Sequence, residues 1–461
     1  MQSSTAASLT SVLFISLMTA LIASLAGFPP GSVLALSIFF AEISATLLLW
    51  NNRLPIAFIG VSLLFLARAL DPKSFLEFAN LDVIFFLIGM MTFIGFLEEQ
   101  KFFDYIVSSI LRASGDNSIL LIFMVIVLSA LLAAVVDEVT SIVIMVSIIM
   151  AMARKADISP LPLLLLSIFA TNIGSSATVV GNPVGVLIAF RGGLTFSDFL
   201  RWATPISILS VALLAIFSLR FFRDYIYELT LKLCSVSPKG DEEQLSAPNL
   251  RRNFILFTGA LVMLVLHHQV EELFHLEKNT LLLVTPFIFA GTAMLLDLET
   301  GMRAFEHKVE WSTLIFFSLL FASVGALESS GFLEVFSTLL VSVAGGSLET
   351  LLVVFVAVAT LMSAFMDNVL AVSVLLPIVE NIGNLGIPRF PFYWLALFSA
   401  TIGGNLTFIG STANIVALGL LEKAGYKKPS IKEWLKHGWW ATLIPLAVST
   451  LLVYFQIPLM P

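Results

Sequence analysis

Eighteen consecutive residues, 171–188, constrain the fold of this chain more than any others. They read Thr-Asn-Ile-Gly-Ser-Ser-Ala-Thr-Val-Val-Gly-Asn-Pro-Val-Gly-Val-Leu-Ile and lie within an apolar run. Even so, they carry three glycines, a proline and several small hydroxyl and amide side chains. Gly and Pro release backbone groups from a helix, and a bilayer tolerates such groups only where protein or a water-filled cavity satisfies them. An interrupted helix of this kind lines a solute pathway in many transporters. Small residues also let helices pack closely, so one such stretch is ambiguous. This chain has two.

The bilayer itself follows from composition. Of the 461 residues, 58% are hydrophobic and 12% charged, against roughly 25% charged in soluble domains. The net charge of −7 is spread without a basic stripe, so nucleic acid is not an expected partner. The single cysteine, Cys234, excludes an intrachain disulfide and a cysteine-based metal or redox centre. No Lys or Arg precedes the first apolar run, which therefore reads as a retained helix rather than a cleaved signal.

Apolar runs near the ~20 residues that span a bilayer fall at 7–26, 32–50, 55–70, 82–98, 160–190, 204–222, 253–267, 279–297, 310–327, 391–421 and 438–457. Two longer runs, 118–153 and 348–380, are polar at their centres and read as re-entrant hairpins tipped by Asp137 and Asp367. Amphipathic pieces precede both, Lys101 to Ser114 and Gly331 to Ser342, suited to an interface. The expectation is an all-α polytopic membrane protein with about 11 transmembrane helices and two hairpins. With the N-terminus inside and the C-terminus outside, 18 basic residues face inward and 6 outward, all 24 in the chain. That distribution obeys the positive-inside rule for a cytoplasmic membrane.

A single offset of 230 maps Glu98 onto Glu328, Asp137 onto Asp367, Thr171 onto Thr401 and Gly174 onto Gly404. The second copy of the opening stretch is Thr-Ile-Gly-Gly-Asn-Leu-Thr-Phe-Ile-Gly-Ser-Thr-Ala-Asn-Ile-Val, 401–416. Five crossings separate the hairpins, so the copies have inverted topology. The expected organisation is scaffold helices in 1–80, repeat 1 in 81–231, a cytoplasmic linker in 232–252, scaffold helices in 253–309 and repeat 2 in 310–461.

Ionisable residues inside a membrane are costly and mark function by default. Asp137, Glu138 and Asp367 therefore head the candidate binding residues, with Asp137 and Asp367 able to hold sodium. Around them stand Thr140, Asn172, Ser175, Ser176, Thr178, Gly181, Asn182, Pro183, Asn368, Asn405, Thr407, Ser411, Thr412 and Asn414. Glu42, in the second span and without a counterpart in the repeat, reads as structural; Asp82, Glu98 and Glu328 read as interfacial. The proposed site contains carboxylates but no Lys or Arg, which favours cations, protons and neutral hydroxylated solutes over multivalent anions. No histidine pair has metal-ligand spacing and no nucleophile–base set stands out, so neither a metal centre nor an enzyme is expected. No cofactor is expected beyond a coupling ion, H+ or Na+.

With these residues, the chain resembles the ion transporter superfamily in its branch of arsenical pump permeases, D-type sodium/proton antiporters and the melanosomal P protein, which share a citrate transporter-like domain. The resemblance runs from about Leu81 onward. It rests on Asp-Glu-Val-Thr at 137–140, Asn-Ile-Gly-Ser-Ser-Ala-Thr-Val-Val-Gly-Asn-Pro at 172–183, Ser-Ala-Phe-Met-Asp-Asn at 363–368 and the glycine-rich run at 403–416. The trailing Leu-Glu-Lys-Ala-Gly-Tyr, 421–426, is like the P protein group. The resemblance implies a homodimer with a core of hairpins and broken helices that moves as an elevator. Two positions depart from the branch: Glu138 stands where Asn is usual, and Gly185 where a second Asn often follows the Pro. The Ser-Asn-Thr tips of the dicarboxylate branch are missing, which ranks carboxylates below inorganic solutes. Thiol recognition of arsenite is excluded in the core, because Cys234 lies in the linker.

The resulting expectation is an ion-coupled transporter of a small inorganic oxyacid or anion, arsenite-like. The alternatives are a sodium (or lithium)/proton antiporter, a sodium-coupled di- or tricarboxylate transporter, and an anion channel.

Overall fold

The apolar runs become helices whose ends are set by local chemistry. A helix leaves its first N–H groups unpaired, and here short polar side chains accept from them. Asp71, Asn117, Ser347 and Ser430 cap their helices in this way, and Pro30, Pro72, Pro183 and Pro391 occupy first-turn positions where no N–H is needed. The computed structural model describes residues 2–112, 115, 117–235 and 249–461.

The first half comprises α1 (Gln2–Leu25), α2 (Pro30–Leu48), α3 (Arg53–Leu66), α4 (Pro72–Phe78), α5 (Leu81–Glu99), α6 (Phe102–Arg112), α7 (Ser118–Val135), α8 (Glu138–Ala156), α9 (Leu161–Gly174), α10 (Pro183–Gly192), α11 (Phe196–Asp198), α12 (Thr204–Phe221) and α13 (Arg223–Ser235). The second comprises α14 (Leu250–Phe274), α15 (Thr280–Leu296), α16 (Leu298–His307), α17 (Trp311–Ser329), α18 (Phe332–Val343), α19 (Leu348–Phe365), α20 (Asn368–Asn384), α21 (Phe390–Gly403), α22 (Thr412–Lys423) and α23 (Ile431–Gln456). Helix α13 takes up the start of the expected linker. The middle of that linker, 236–248, and the side chain of Cys234 lie outside the described residues.

Nine helices among the described residues are long and apolar enough to cross a membrane, two of them, α7 and α19, being hairpin arms. The shorter apolar helices complete the set. The broken pairs α9–α10 and α21–α22 each make one crossing, and α7–α8 and α19–α20 form the hairpins. The crossings are then α1, α2, α3, α5, α9–α10, α12, α14, α15, α17, α21–α22 and α23, and α6 and α18 are the amphipathic pieces.

Helix bounds repeat the internal register. Helices α5, α7 and α8 begin at 81, 118 and 138, and α17, α19 and α20 begin at 311, 348 and 368. The correspondence reaches upstream of Leu81. Helices α3 and α15 end at 66 and 296, and aligning Pro55 with Pro286 also aligns Gly60 with Gly291. In the broken helices the offset is 229: α9 and α21 begin at 161 and 390 and end at 174 and 403. Gly174 therefore pairs in space with Gly403 rather than with the sequence match Gly404, and Thr178 pairs with Thr407 and Gly181 with Gly410. The halves interlock by exchange: α5 packs on α15 and α16, and α17 on α3 and α4; likewise α8 packs on α22, and α10 on α20. The close crossings fall on matched glycines. A Cβ on Gly95 would lie 2.6 Å from Lys308 Cβ, and one on Gly325 would enter the ring of Phe78, Lys308 and Phe78 being themselves 230 apart.

Glu42 is buried between α2, α3 and α17. Its Oε2 accepts from Ser323 Oγ at 2.9 Å, and Gly60 opposite leaves room for the carboxyl. Glu98 and Glu328, near the ends of α5 and α17, face Lys308 Nζ at 2.7 Å and Arg191 Nη2 at 3.9 Å.

Candidate ion- and solute-binding site

Each hairpin turns on an aspartate that caps its returning helix. Asp137 Oδ1 accepts from the Val139 and Thr140 N–H groups, both at 2.8 Å, and its Oδ2 accepts from Thr140 Oγ1 at 2.7 Å. Asp367 Oδ1 accepts from the Val369 N–H at 3.0 Å, but its Oδ2 accepts from Thr412 Oγ1, at the head of α22, at 2.6 Å. Glu138 and Asn368, the residues after each cap, meet each other: Asn368 Nδ2 lies 3.3 Å from both carboxylate oxygens. They are 230 apart in sequence, so the pseudo-two-fold axis passes between them. Glu138, Asp367 and Asn368 are all buried.

Four helices, α8, α10, α20 and α22, present their N-termini to one cavity of about 30 Å³, lined by Asp137, Glu138, Val139, Asn182, Pro183, Val369 and Thr412. That is room for one or two waters. Each helix N-terminus carries roughly half a positive charge, so together they offset part of the negative charge of the acids. The far wall comes from α5, with Phe86, Leu87, Met90 and Met91, and from the start of α17, with Glu310, Thr313 and Phe317.

The rest of the broken helices is devoted to holding the breaks together. The Thr178 and Thr407 hydroxyls donate to the Ala134 and Ala364 carbonyls, which the last turns of α7 and α19 leave free. Asn172 Nδ2 donates to Asn405 Oδ1 at 2.8 Å and Asn414 Oδ1 at 2.9 Å, and Asn172 Oδ1 accepts from Ser411 Oγ at 3.0 Å. Asn414 Nδ2 also donates to the Gly404 and Thr407 carbonyls. Asn182 spans its own break: its Oδ1 caps α10 through the Gly185 N–H at 2.8 Å, and its Nδ2 donates to Ser175 Oγ at 2.7 Å. Ser176 Oγ bonds Ser207 Oγ and the Ile173 carbonyl. A Cβ on Gly181 would strike the Ser175 backbone, and one on Gly185 would lie 2.8 Å from the Val179 carbonyl oxygen. The backbone therefore leaves no room for an asparagine at 185.

The sequence-predicted residues thus fall into two sets. Asp137, Glu138, Asn182, Pro183 and Thr412 line the cavity, with Asp367 and Asn368 one hydrogen bond behind them. Thr140 supports Asp137, while Asn172, Ser175, Ser176, Thr178, Gly181, Asn405, Thr407, Ser411 and Asn414 tie the breaks together.

Sequence reasoning missed Glu310, Thr313 and Arg53. Glu310 and Thr313 line the cavity, and Arg53 Nη2 donates to Thr313 Oγ1 at 3.1 Å. The reading of a site free of Lys and Arg is corrected accordingly: one guanidinium stands at its edge. The available signal was an acid opening the span at 310 in place of the Asn80 that opens the matching one.

Comparison with known proteins agrees with this architecture. The family model described as "Citrate transporter" (CitMHS) matches residues 52–344 and 324–459. An uncharacterized transporter of Mycobacterium tuberculosis is 30% identical over 383 residues, 81% of this chain and 86% of that protein. The human P protein is 25% identical over 424 residues, 76% of this chain and 50% of its own length. The YdaH transporter of Alcanivorax borkumensis, whose crystal structure is described as having an unusual topology, aligns with a TM-score of 0.59 and 16% identity. That alignment covers 94% of this chain and 99% of the other, a likeness of fold. The chain belongs to the CitMHS citrate transporter family and is a membrane transporter.

Proposed function

Taking that membership as the starting point, we propose that this protein is a secondary active transporter of the cytoplasmic membrane. It is coupled to protons or sodium and carries a small inorganic oxyacid in its neutral, arsenite-like form. The observation that carries this reading is the group of buried carboxyls at the meeting of four helix N-termini, where Asp137 and Glu138 line the cavity and Asp367 stands one hydrogen bond behind it. Each charge placed in a bilayer costs several kcal/mol, so the empty hairpins cannot translocate cheaply while ionised. A bound cation or proton removes that cost, which couples movement of the core to ion loading.

In this reading the hairpins and broken helices move together as an elevator. They slide against a scaffold of α2–α5 and α14–α17 that is extended into a homodimer. The N-terminus lies inside, which puts the start of α3 and the start of α17 on the cytoplasmic side. A tricarboxylate, as in the family's description, would need cationic partners at its carboxylates. Among the described residues that line the cavity none is a Lys or Arg, Arg53 reaching only its edge through Thr313. Carboxylates therefore rank below neutral oxyacids.

A second reading, a sodium/proton antiporter, draws on the size of the cavity: about 30 Å³ accommodates an ion without a solute. Proteoliposomes loaded with a pH-sensitive dye separate the two when given sodium, lithium, arsenite, silicate, phosphate and citrate in turn. Proton movement with an oxyacid alone, lost in Asp367→Asn, is the expected result. Movement with sodium or lithium alone establishes the antiporter instead. If Asp137→Asn and Asp367→Asn both leave flux and its pH dependence untouched, the coupling role of the acids is refuted.

A further inference from the structure

Arg53 opens α3 and is half-buried. Its guanidinium lies 4.8 Å from the centroid of Trp50 and 5.9 Å from that of Phe316, and it donates to Thr313 Oγ1 at 3.1 Å. Two aromatic faces and a hydroxyl thus aim one fixed cation at the cavity wall. Its charge acts on Glu310 and on Asp367. The other charged groups facing Glu310 are Asp137, Asp367 and Glu138. Lys308, two residues before it, is engaged by Glu98 and Glu99.

The matching positions across the pseudo-two-fold carry no charge. Val284 occupies the position of Arg53 when Pro55 is aligned with Pro286, and Asn80 and Val83 occupy those of Glu310 and Thr313. Asp82, beside them, turns its Oδ1 to the Val83 N–H at 2.9 Å. One face of the scaffold therefore offers a guanidinium, a hydroxyl and a carboxyl to the hairpin tips, whereas the matched positions of the opposite face, Val284, Asn80 and Val83, are uncharged.

We propose that Arg53 is a one-sided discharge residue: it weakens the hold of Asp137, Glu138 and Asp367 on their coupling cation when the hairpins stand on the α3 side, and on that side only. The inference rests on the reading of those acids as the coupling-ion site. A cation seated among them feels the repulsion of a guanidinium fixed to the scaffold, and movement of the core to the opposite face leaves that repulsion behind. Glu310 acts with the opposite sign, moderating the repulsion, and Thr313 holds the guanidinium in place. The apparent affinity for the cation then differs between the two sides of the membrane by about tenfold, the size of a charge–charge interaction across several ångströms of partly buried protein.

The test measures half-saturating sodium, and separately half-saturating proton concentration, in right-side-out and inside-out vesicles. Arg53→Gln is expected to raise apparent cation affinity about tenfold on the α3 side and leave the other side unchanged. Arg53→Lys should stay near the parent, and Glu310→Gln should lower affinity on the same side. Equal shifts on both sides, shifts of the same sign for Arg53→Gln and Glu310→Gln, or no shift in a variant that elutes as the parent does would overturn the proposal. Asp137→Asn in the same vesicles separates the two levels. If it leaves cation dependence intact, the coupling-site reading fails and takes this inference with it; if it abolishes cation dependence while Arg53→Gln shifts nothing, only the discharge role fails.

Discussion

The two hairpins are built from the same parts and finished differently. Both have a polar cap at the outer end of the first arm (Asn117, Ser347), an aspartate cap at the tip, and a threonine hydroxyl that satisfies the last carbonyls of that arm. At the first tip Asp137 is supported by Thr140 of its own helix; at the second, Asp367 is supported by Thr412 of the neighbouring broken helix. After the caps come Glu138 in one copy and Asn368 in the other, in contact. The positions that satisfy backbone have stayed alike while those that face the cavity have diverged. That is the pattern expected when a bilayer punishes every unpaired backbone group but leaves the chemistry of the cavity open. The first tip is thus braced from within its own helix, whereas the second is tied to α22.

Exchanging the diverged pair gives the largest effect. Glu138→Asn removes the charge at the two-fold and the charge-assisted bond from Asn368. Such a bond is worth about 1.5–3 kcal/mol, so cation affinity should fall roughly 10- to 150-fold in flux assays. Asn368→Glu in the parent sets two carboxyls face to face, and one of them must then hold a proton or cation, so the variant should demand more coupling ion. The double exchange, Glu138→Asn with Asn368→Glu, restores one acid and one amide across the axis. Recovery of most of the affinity would mean that position on the axis is what matters. Failure to recover would show that the two tips are inequivalent because of Thr140 and Thr412.

The sequence made the tips legible because ionisable residues stand out in apolar runs and because 230-residue spacing repeats in Glu98, Asp137, Thr171 and Gly174. It did not distinguish the two jobs of a buried amide. Asn172, Asn182, Asn405 and Asn414 all announce a broken helix, but whether an amide faces a cavity or a neighbouring carbonyl depends on the rotation of each half-helix, which composition does not encode. Glu310 and Arg53 were obscured for another reason. Each sits at the end of a span, where charge is ordinarily interfacial, and only the packing of α17 on α3 brings them to the site. The upstream start of the repeat was hidden in apolar matches such as Pro55 with Pro286, which carry little information until helix ends line up.

The break-stabilising hydroxyls should show an intermediate effect. Thr178→Val and Thr407→Val each strand a carbonyl, at Ala134 or Ala364. An unsatisfied buried acceptor costs about 1–3 kcal/mol. Thr178 is buried and Thr407 only partly so, which lets water replace the second hydroxyl more readily. Thermal unfolding in detergent should therefore place Thr178→Val below Thr407→Val. The reverse order would mean that the second break is the more tightly closed of the two.

The matched glycine crossings test the scaffold with the smallest expected effect. Alanine at 325 puts a methyl into the ring of Phe78, while alanine at 95 meets Lys308 Cβ at 2.6 Å and Cγ at 2.9 Å. Overpacking of this kind costs about 1–3 kcal/mol. The two sites differ in what can yield. Phe78→Ala removes the ring and should rescue Gly325→Ala, giving a coupling energy of roughly 0.5–3 kcal/mol in a double-mutant cycle. Lys308→Ala keeps the Cβ that collides and also deletes the ion pair with Glu98, so it should not rescue Gly95→Ala. Rescue at both sites would show that α16 is as free to shift as the seven-residue α4. Rescue at neither would mean that the backbones themselves, rather than these side chains, set the distance at which the two halves cross.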